Sequence, residues 1–385
     1  MKKKMKKAAG WLKRNAGQLV MLILYILMGA GCGMIAAQAA DEMGGGMLHM
    51  LMLAFTGLYF SLLMHIVLHE AGHMIFGLAT GYRFSSFRLG SMVLGRTAEG
   101  KLQLGWSPLP GAGGQCLMSP PDMKDGKMPF VLYNLGGAMM NLIISLLCLP
   151  GAVWAAHPLV RACCAMGALT GLVTAATNGI PLRIGMLDND GRNILTMRKN
   201  PEAVRALWVQ LKVAEQNALD VRLRDMPEEW FSMPSRQAAK NSLCAGEGVF
   251  YCGRLMDQMR LEEALRAMNA LMRIGSGMVG LHRVSMKMDM ACCELLLGRG
   301  REAAERTLDK NTMKMMKAMK THLSAIRTGY ILELLGEGNE DKAREMEAQF
   351  EKAARKWPSK ADVESERELM EKAKEVYRAR KEENS

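Results

Sequence analysis

The sequence predicts a mainly α-helical fold in two parts. A polytopic membrane core of about four spans carries a small β-hairpin insertion, and a soluble helical domain follows it. Three observations predict this. The 385 residues segregate into an apolar part before about residue 182 and a charged part after it, although mean hydropathy over the chain is near zero. Four apolar runs are long enough to cross a bilayer, which takes about 20 residues. The charged part carries similar segments about 40 residues apart.

The chain opens with Lys2, Lys3, Lys4, Lys6, Lys7, Lys13 and Arg14 and no acid, followed by an apolar run over 18–40. A basic start before an apolar stretch is also signal-peptide chemistry, and Ala37-Gln38-Ala39 is a weak cleavage-site match. The run is long for a signal, so an uncleaved first span is expected, its basic end in the cytoplasm. The second run covers 47–80 and returns inside.

Residues 82–128 differ in kind. Tyr82–Leu89 and Lys101–Trp106 are β-prone, with turn chemistry at Thr97-Ala98-Glu99-Gly100 between them. They predict a hairpin near the cytoplasmic interface, followed by a Gly/Pro-rich stretch over 108–115. Arg83, Arg88, Arg96, Lys101, Lys124 and Lys127 make this loop basic, as cytoplasmic loops are. A third span over 129–155 and a fourth over 158–182 flank a short, nearly uncharged loop at Ala156-His157-Pro158. The expected protein is multi-pass in a cell membrane, bacterial by its compact core, with both termini cytoplasmic.

Past about residue 195 the chain is charged and helical. Leu261-Glu262-Glu263-Ala264, Arg301-Glu302-Ala303-Ala304 and Glu340-Asp341-Lys342-Ala343 stand at similar offsets. They suggest helix-hairpin repeats of tetratricopeptide type, although an irregular helical bundle satisfies the same pattern. The domains expected are 1–195 and 196–385. Net charge is +12, yet basic residues are mixed with acids, so no nucleic-acid surface is indicated. The 9 cysteines show neither a disulfide framework nor a Cys-x-x-Cys metal spacing, and are expected free and buried.

The chemistry centres on His69-Glu70-Ala71-Gly72-His73 within the second span. Residues four apart share a helix face, so two imidazoles can meet one metal, with Glu70 close enough to act as general base. Ionisable groups at membrane depth are costly and mark function. His65 extends the stripe by one turn, as a third ligand or, better, as a supporting or substrate-facing group. A third ligand is offered after the fourth span, where Asn178-Gly179-Ile180-Pro181 leads to Leu187-Asp188-Asn189-Asp190-Gly191.

These motifs together resemble the site-2 protease family of intramembrane zinc metalloproteases. The resemblance covers roughly 47–195 and includes Gly137-Ala138-Met139-Met140-Asn141 in the third span. It implies zinc bound by His69, His73 and Asp190, Glu70 as catalytic base, and Asn141 and Asn178 near the substrate or oxyanion. The spacer from Pro181 to Asp190-Gly191 is longer than that family's, which keeps Asp188 open as an alternative ligand. Implied substrates are membrane-spanning proteins unwound locally, with the hairpin as a pairing edge and the helical domain binding proteins or peptides. Two other readings fit less well. A catalytically retired scaffold would not need Glu70, and a metal transporter would need more ligands than His49 and His65 add.

Overall fold

The computed structural model describes residues 2–96, 100–106, 113–184 and 187–383. Part of the expected turn, 97–99, and 107–112 of the Gly/Pro-rich stretch lie outside the described residues. The chain divides into two compact units, 1–84 with 113–200, and 85–112 with 201–385.

The first unit holds four apolar helices. α1 is Lys2–Glu42, α2 Met47–Ala79, α3 Val131–Trp154 and α4 Pro158–Gly179. Each is long and apolar enough to cross a membrane, α1 from Asn15 onward. Many large apolar side chains face outward, among them Leu22, Phe55, Phe60 and Leu147. That inversion suits lipid, which solvates apolar surface and leaves every backbone polar group to be satisfied within a helix. α2 packs against α1, α3 and α4. Small residues bring backbones together: a Cβ on Gly72 would overlap the Gly136 carbonyl of α3, and one on Gly136 the Gly72 carbonyl of α2. α2 ends where Gly81 takes a left-handed φ of 88° and the Tyr82 N–H reaches back to the Gly77 carbonyl at 3.0 Å. That closure satisfies the helix's orphan carbonyl.

The β-structure is richer than one hairpin. β1 is Arg83–Leu89, β2 Met92–Arg96, β3 Leu102–Trp106 and β4 Gly114–Ser119, in sheet order β3-β2-β1-β4. β1 pairs with β2 and β2 with β3, both antiparallel. The expected β1–β3 hairpin is therefore a meander with β2 between its strands. Gly90, at φ 57°, allows the two-residue turn that brings Met92 opposite Leu89. Short β2 carries its strand signal in only Met92-Val93-Leu94, which is why it escapes a reading of local sequence.

After α4 a two-stranded ribbon, β5 Arg183–Ile184 with β6 Leu187–Asp188, leads into α5 Asp190–Lys199. α5 packs on α3 and α4 and belongs with them to the first unit, which ends at Asn200.

In the second unit α6 is Pro201–Ala218, α7 Ser242–Asp257, α8 Leu261–Arg273, α9 Gly280–Leu296, α10 Arg301–Thr307, α11 Lys310–Ala318, α12 Leu323–Ile331, α13 Glu340–Ala354 and α14 Lys360–Glu383. The three similar segments open α8, α10 and α13, each packed on the helix before it in a hairpin, α7, α9 and α12 respectively. Ala264, Ala304 and Ala343 are all buried, so the repeat marks where a helix start meets the preceding helix. All nine cysteines are free.

Candidate metal centre

His69 and His73 lie one turn apart on α2, and their Nε2 atoms stand 3.1 Å apart. Asp190, the first residue of α5, brings Oδ2 to 3.3 Å from His69 Nε2 and 3.6 Å from His73 Nε2. Among the described residues these form the one group of three such side chains whose ligand atoms lie within 4.8 Å of one another. Asp190 Oδ2 is buried and receives no well-directed hydrogen bond. Burial alone would raise the Asp190 carboxyl, and the neighbouring His69 and His73 outweigh that and hold it at about 2. The His69 and His73 nitrogens and the Asp190 carboxylate, within 4.8 Å of one another, are a donor set that fits a divalent cation.

Surrounding groups fix each ligand. His73 Nδ1 donates to the Tyr133 carbonyl at 2.7 Å, which leaves Nε2 a lone pair for the centre. Gly137 explains its place in the Gly-x-x-x-Asn segment, because a Cβ there would overlap the His69 ring. One turn on, Asn141 sets its amide between His69 Nδ1 at 3.4 Å and His65 Nδ1 at 3.1 Å. The residue is buried, with an imidazole near each end of its amide. Asn178 donates to Thr174 O in its own helix.

Asp190 owes its position to Asn189, which the sequence reading passed over. The Asn189 side chain accepts from the Arg192 and Leu182 N–H groups, both at 3.0 Å. Its Nδ2 donates to the Thr177 and Ile180 carbonyls at 2.7 and 2.6 Å. It thus caps α5 and takes up carbonyls left free where Pro181 ends α4. An Asn directly before a helical Asp-Gly was the available signal. Gly191 is required because a Cβ would overlap the Gly179 carbonyl. The long spacer is also accounted for. Asn189 N–H bonds to Leu182 O at 3.2 Å, so the extra residues leave as the β5–β6 ribbon without displacing Asp190. Asp188 turns instead to Arg183, at 2.6 and 2.7 Å, and Arg192.

Glu70 is buried, 8% exposed, and lies against β4, where a Cβ on Gly114 would meet its side chain. Tyr133 ties β4 to α3 by donating its hydroxyl to Cys116 O at 3.1 Å and stacks on Tyr82 at 4.6 Å. Burial, helped by nearby Glu70, pushes the Cys116 thiol up to about 12, so it stays protonated and inert.

The chain was compared with protein-family models, curated proteins and solved structures, and none matches.

Proposed function

We propose that this chain is an intramembrane zinc endopeptidase that hydrolyses peptide bonds of membrane-spanning or membrane-associated proteins. The observation carrying this reading is the convergence of His69 Nε2, His73 Nε2 and Asp190 Oδ2 beside buried Glu70, on helices fit to span a membrane. His69, His73 and Asp190 would hold the ion, which when bound polarises a carbonyl and acidifies water.

The protein's own groups do the rest. Glu70 takes a proton from the attacking water and returns it to the leaving amine. Tyr133 O and Asn189 hold His73 and Asp190 in place, so no reorganisation is needed during reaction. A helical substrate hides its carbonyls and must unwind locally. Among the described residues β4 has a neighbouring strand on one side only, and it passes Glu70, so its outer edge can pair with the extended segment. β3, the outer strand of the expected hairpin region, is the sheet's other edge. The positive-inside charge distribution favours both termini in the cytoplasm, and the helical unit is the part suited to choosing protein or peptide partners.

Co-expression with a panel of single-span proteins tests the reading. Cleavage of at least one, lost on metal chelation and restored by zinc, is expected. Cleavage that persists after chelation would contradict it.

A further inference from the structure

His65 lies one turn before His69 on α2 and is completely buried, at 0% exposure. It touches no metal-ligand atom, yet its hydrogen bonds decide how one of those atoms is presented. Its Nε2 is 2.9 Å from the Gly167 carbonyl of α4. A carbonyl only accepts, so Nε2 carries the proton. A second proton on the ring would bury a cation whose partners are an amide and a carbonyl, with no carboxylate among them, an arrangement proteins avoid. His65 Nδ1 is therefore a bare acceptor.

In the structure Asn141 Oδ1 lies 3.1 Å from that acceptor and Nδ2 lies 3.4 Å from His69 Nδ1, so two acceptors face each other at His65 unless the amide's oxygen and nitrogen are exchanged. The two ends of an amide have the same shape, and the hydrogen-bond network decides which is which. A bare Nδ1 on His65 must face the NH₂ end. The amide oxygen then faces His69 Nδ1, which must carry a proton to bond with it. In neutral imidazole only one nitrogen is protonated, so His69 Nε2 keeps its lone pair. That is the atom 3.1 Å from His73 Nε2 and 3.3 Å from Asp190 Oδ2. The opposite amide orientation would set Asn141 NH₂ on His69 Nδ1 and place a proton on Nε2, aimed into the centre.

We propose that His65 is a positioning residue for the metal centre. Through Asn141 it transmits the acceptor character of the Gly167 carbonyl to His69 and holds His69 in the Nδ1–H tautomer. The inference rests on the metal-centre reading for its purpose, though not for its geometry. The packing is built to hold the relay still. A Cβ on Gly171 would overlap the His65 ring and Ser145 Oγ, and Ser145 in turn donates to Asn141 O at 2.8 Å. Three helices, α2, α3 and α4, thereby agree on one proton arrangement.

The test has two readouts on the full-length, detergent-purified protein. Nitrogen-15 NMR of histidine-labelled, metal-free protein is expected to show His69 protonated at Nδ1, and a mixture of tautomers in His65→Leu. Zinc affinity by competition with a chelator is expected to fall about 10- to 100-fold in His65→Leu, the usual cost of losing an outer-shell partner. The double variant His65→Leu/Asn141→Asp has only acceptor atoms at position 141 and needs no partner to orient it. It is expected to recover most of the lost affinity, which a merely space-filling role for His65 would not permit.

Wild-type His69 found protonated at Nε2 would overturn the proposal even if His65→Leu fails to fold. Zinc binding of His65→Leu equal to wild type, or no recovery in the double variant, would also overturn it. If wild type binds no zinc while His69 carries its proton on Nδ1, the metal reading falls and the relay stands.

Discussion

The two units bury polar groups in opposite ways. In the helical unit the most deeply buried guanidinium groups, Arg327 and Arg222, are met by carboxylates, and buried Arg254 donates to the Leu223 and Met226 carbonyls. Arg327 donates to Asp289 and Glu366, both at 2.6 Å. Arg222 donates to Asp257 at 2.5 Å and to Glu368 at 2.6 Å. The charges are spent on each other. In the membrane unit His69, His73 and Asp190 bring two imidazoles and a carboxylate together, their ligand atoms within 4.8 Å of one another. A compensated network holds a fold together, and a cluster of two imidazoles and a carboxylate is one that a cation can fill. Burial of charge alone would not have told the two apart.

Several substitutions can break or sharpen this contrast. The largest effect is expected from Glu70→Gln, which removes the proton acceptor and leaves the ligands. Cleavage should fall by about 10²- to 10⁴-fold, the worth of a general base, with zinc content unchanged. Loss of zinc along with activity would make Glu70 a ligand instead. On the other side of the contrast, Arg327→Met leaves Asp289 and Glu366 facing each other unpaired. Chemical denaturation should show the helical unit destabilised by about 3–5 kcal/mol, while zinc content stays as in wild type.

Asn189→Ala is expected to be intermediate. It removes the cap of α5, at about 1 kcal/mol, and frees Asp190 to move, so zinc affinity should fall about 10- to 100-fold. Unaltered affinity would show that Asp190 is held by other means. The smallest effect on the centre belongs to Asp188→Asn, which loses the Arg183 and Arg192 pairs and should keep its zinc. Loss of metal there, with retention in Asp190→Asn, would exchange their roles.

Where the information was local, the sequence was legible. The four spans appear within a few residues of their expected limits, because twenty apolar residues in a row have few alternatives. The pairing of His69 with His73 follows from helix geometry alone. What stayed hidden depends on contacts across the chain. β4 lacks a strand signal beside its glycines, and it matters because it crosses Glu70. The place of Asn141 between His65 and His69, 76 and 72 residues away in sequence, is of this kind. The glycines at 72 and 136 announced nothing by themselves, and those at 137 and 191 entered only as members of motifs. Each becomes necessary once a second backbone or an imidazole fills the space a Cβ would need.

Metal content of the detergent-purified protein, grown in zinc-replete medium, tests the central claim most directly, with wild type measured beside Asp190→Asn. About one zinc per chain in wild type, as one three-ligand centre requires, and a clear loss in Asp190→Asn is the predicted result. Wild-type protein free of zinc and of every other divalent transition metal would contradict it, and would turn attention to the helical unit as the seat of function.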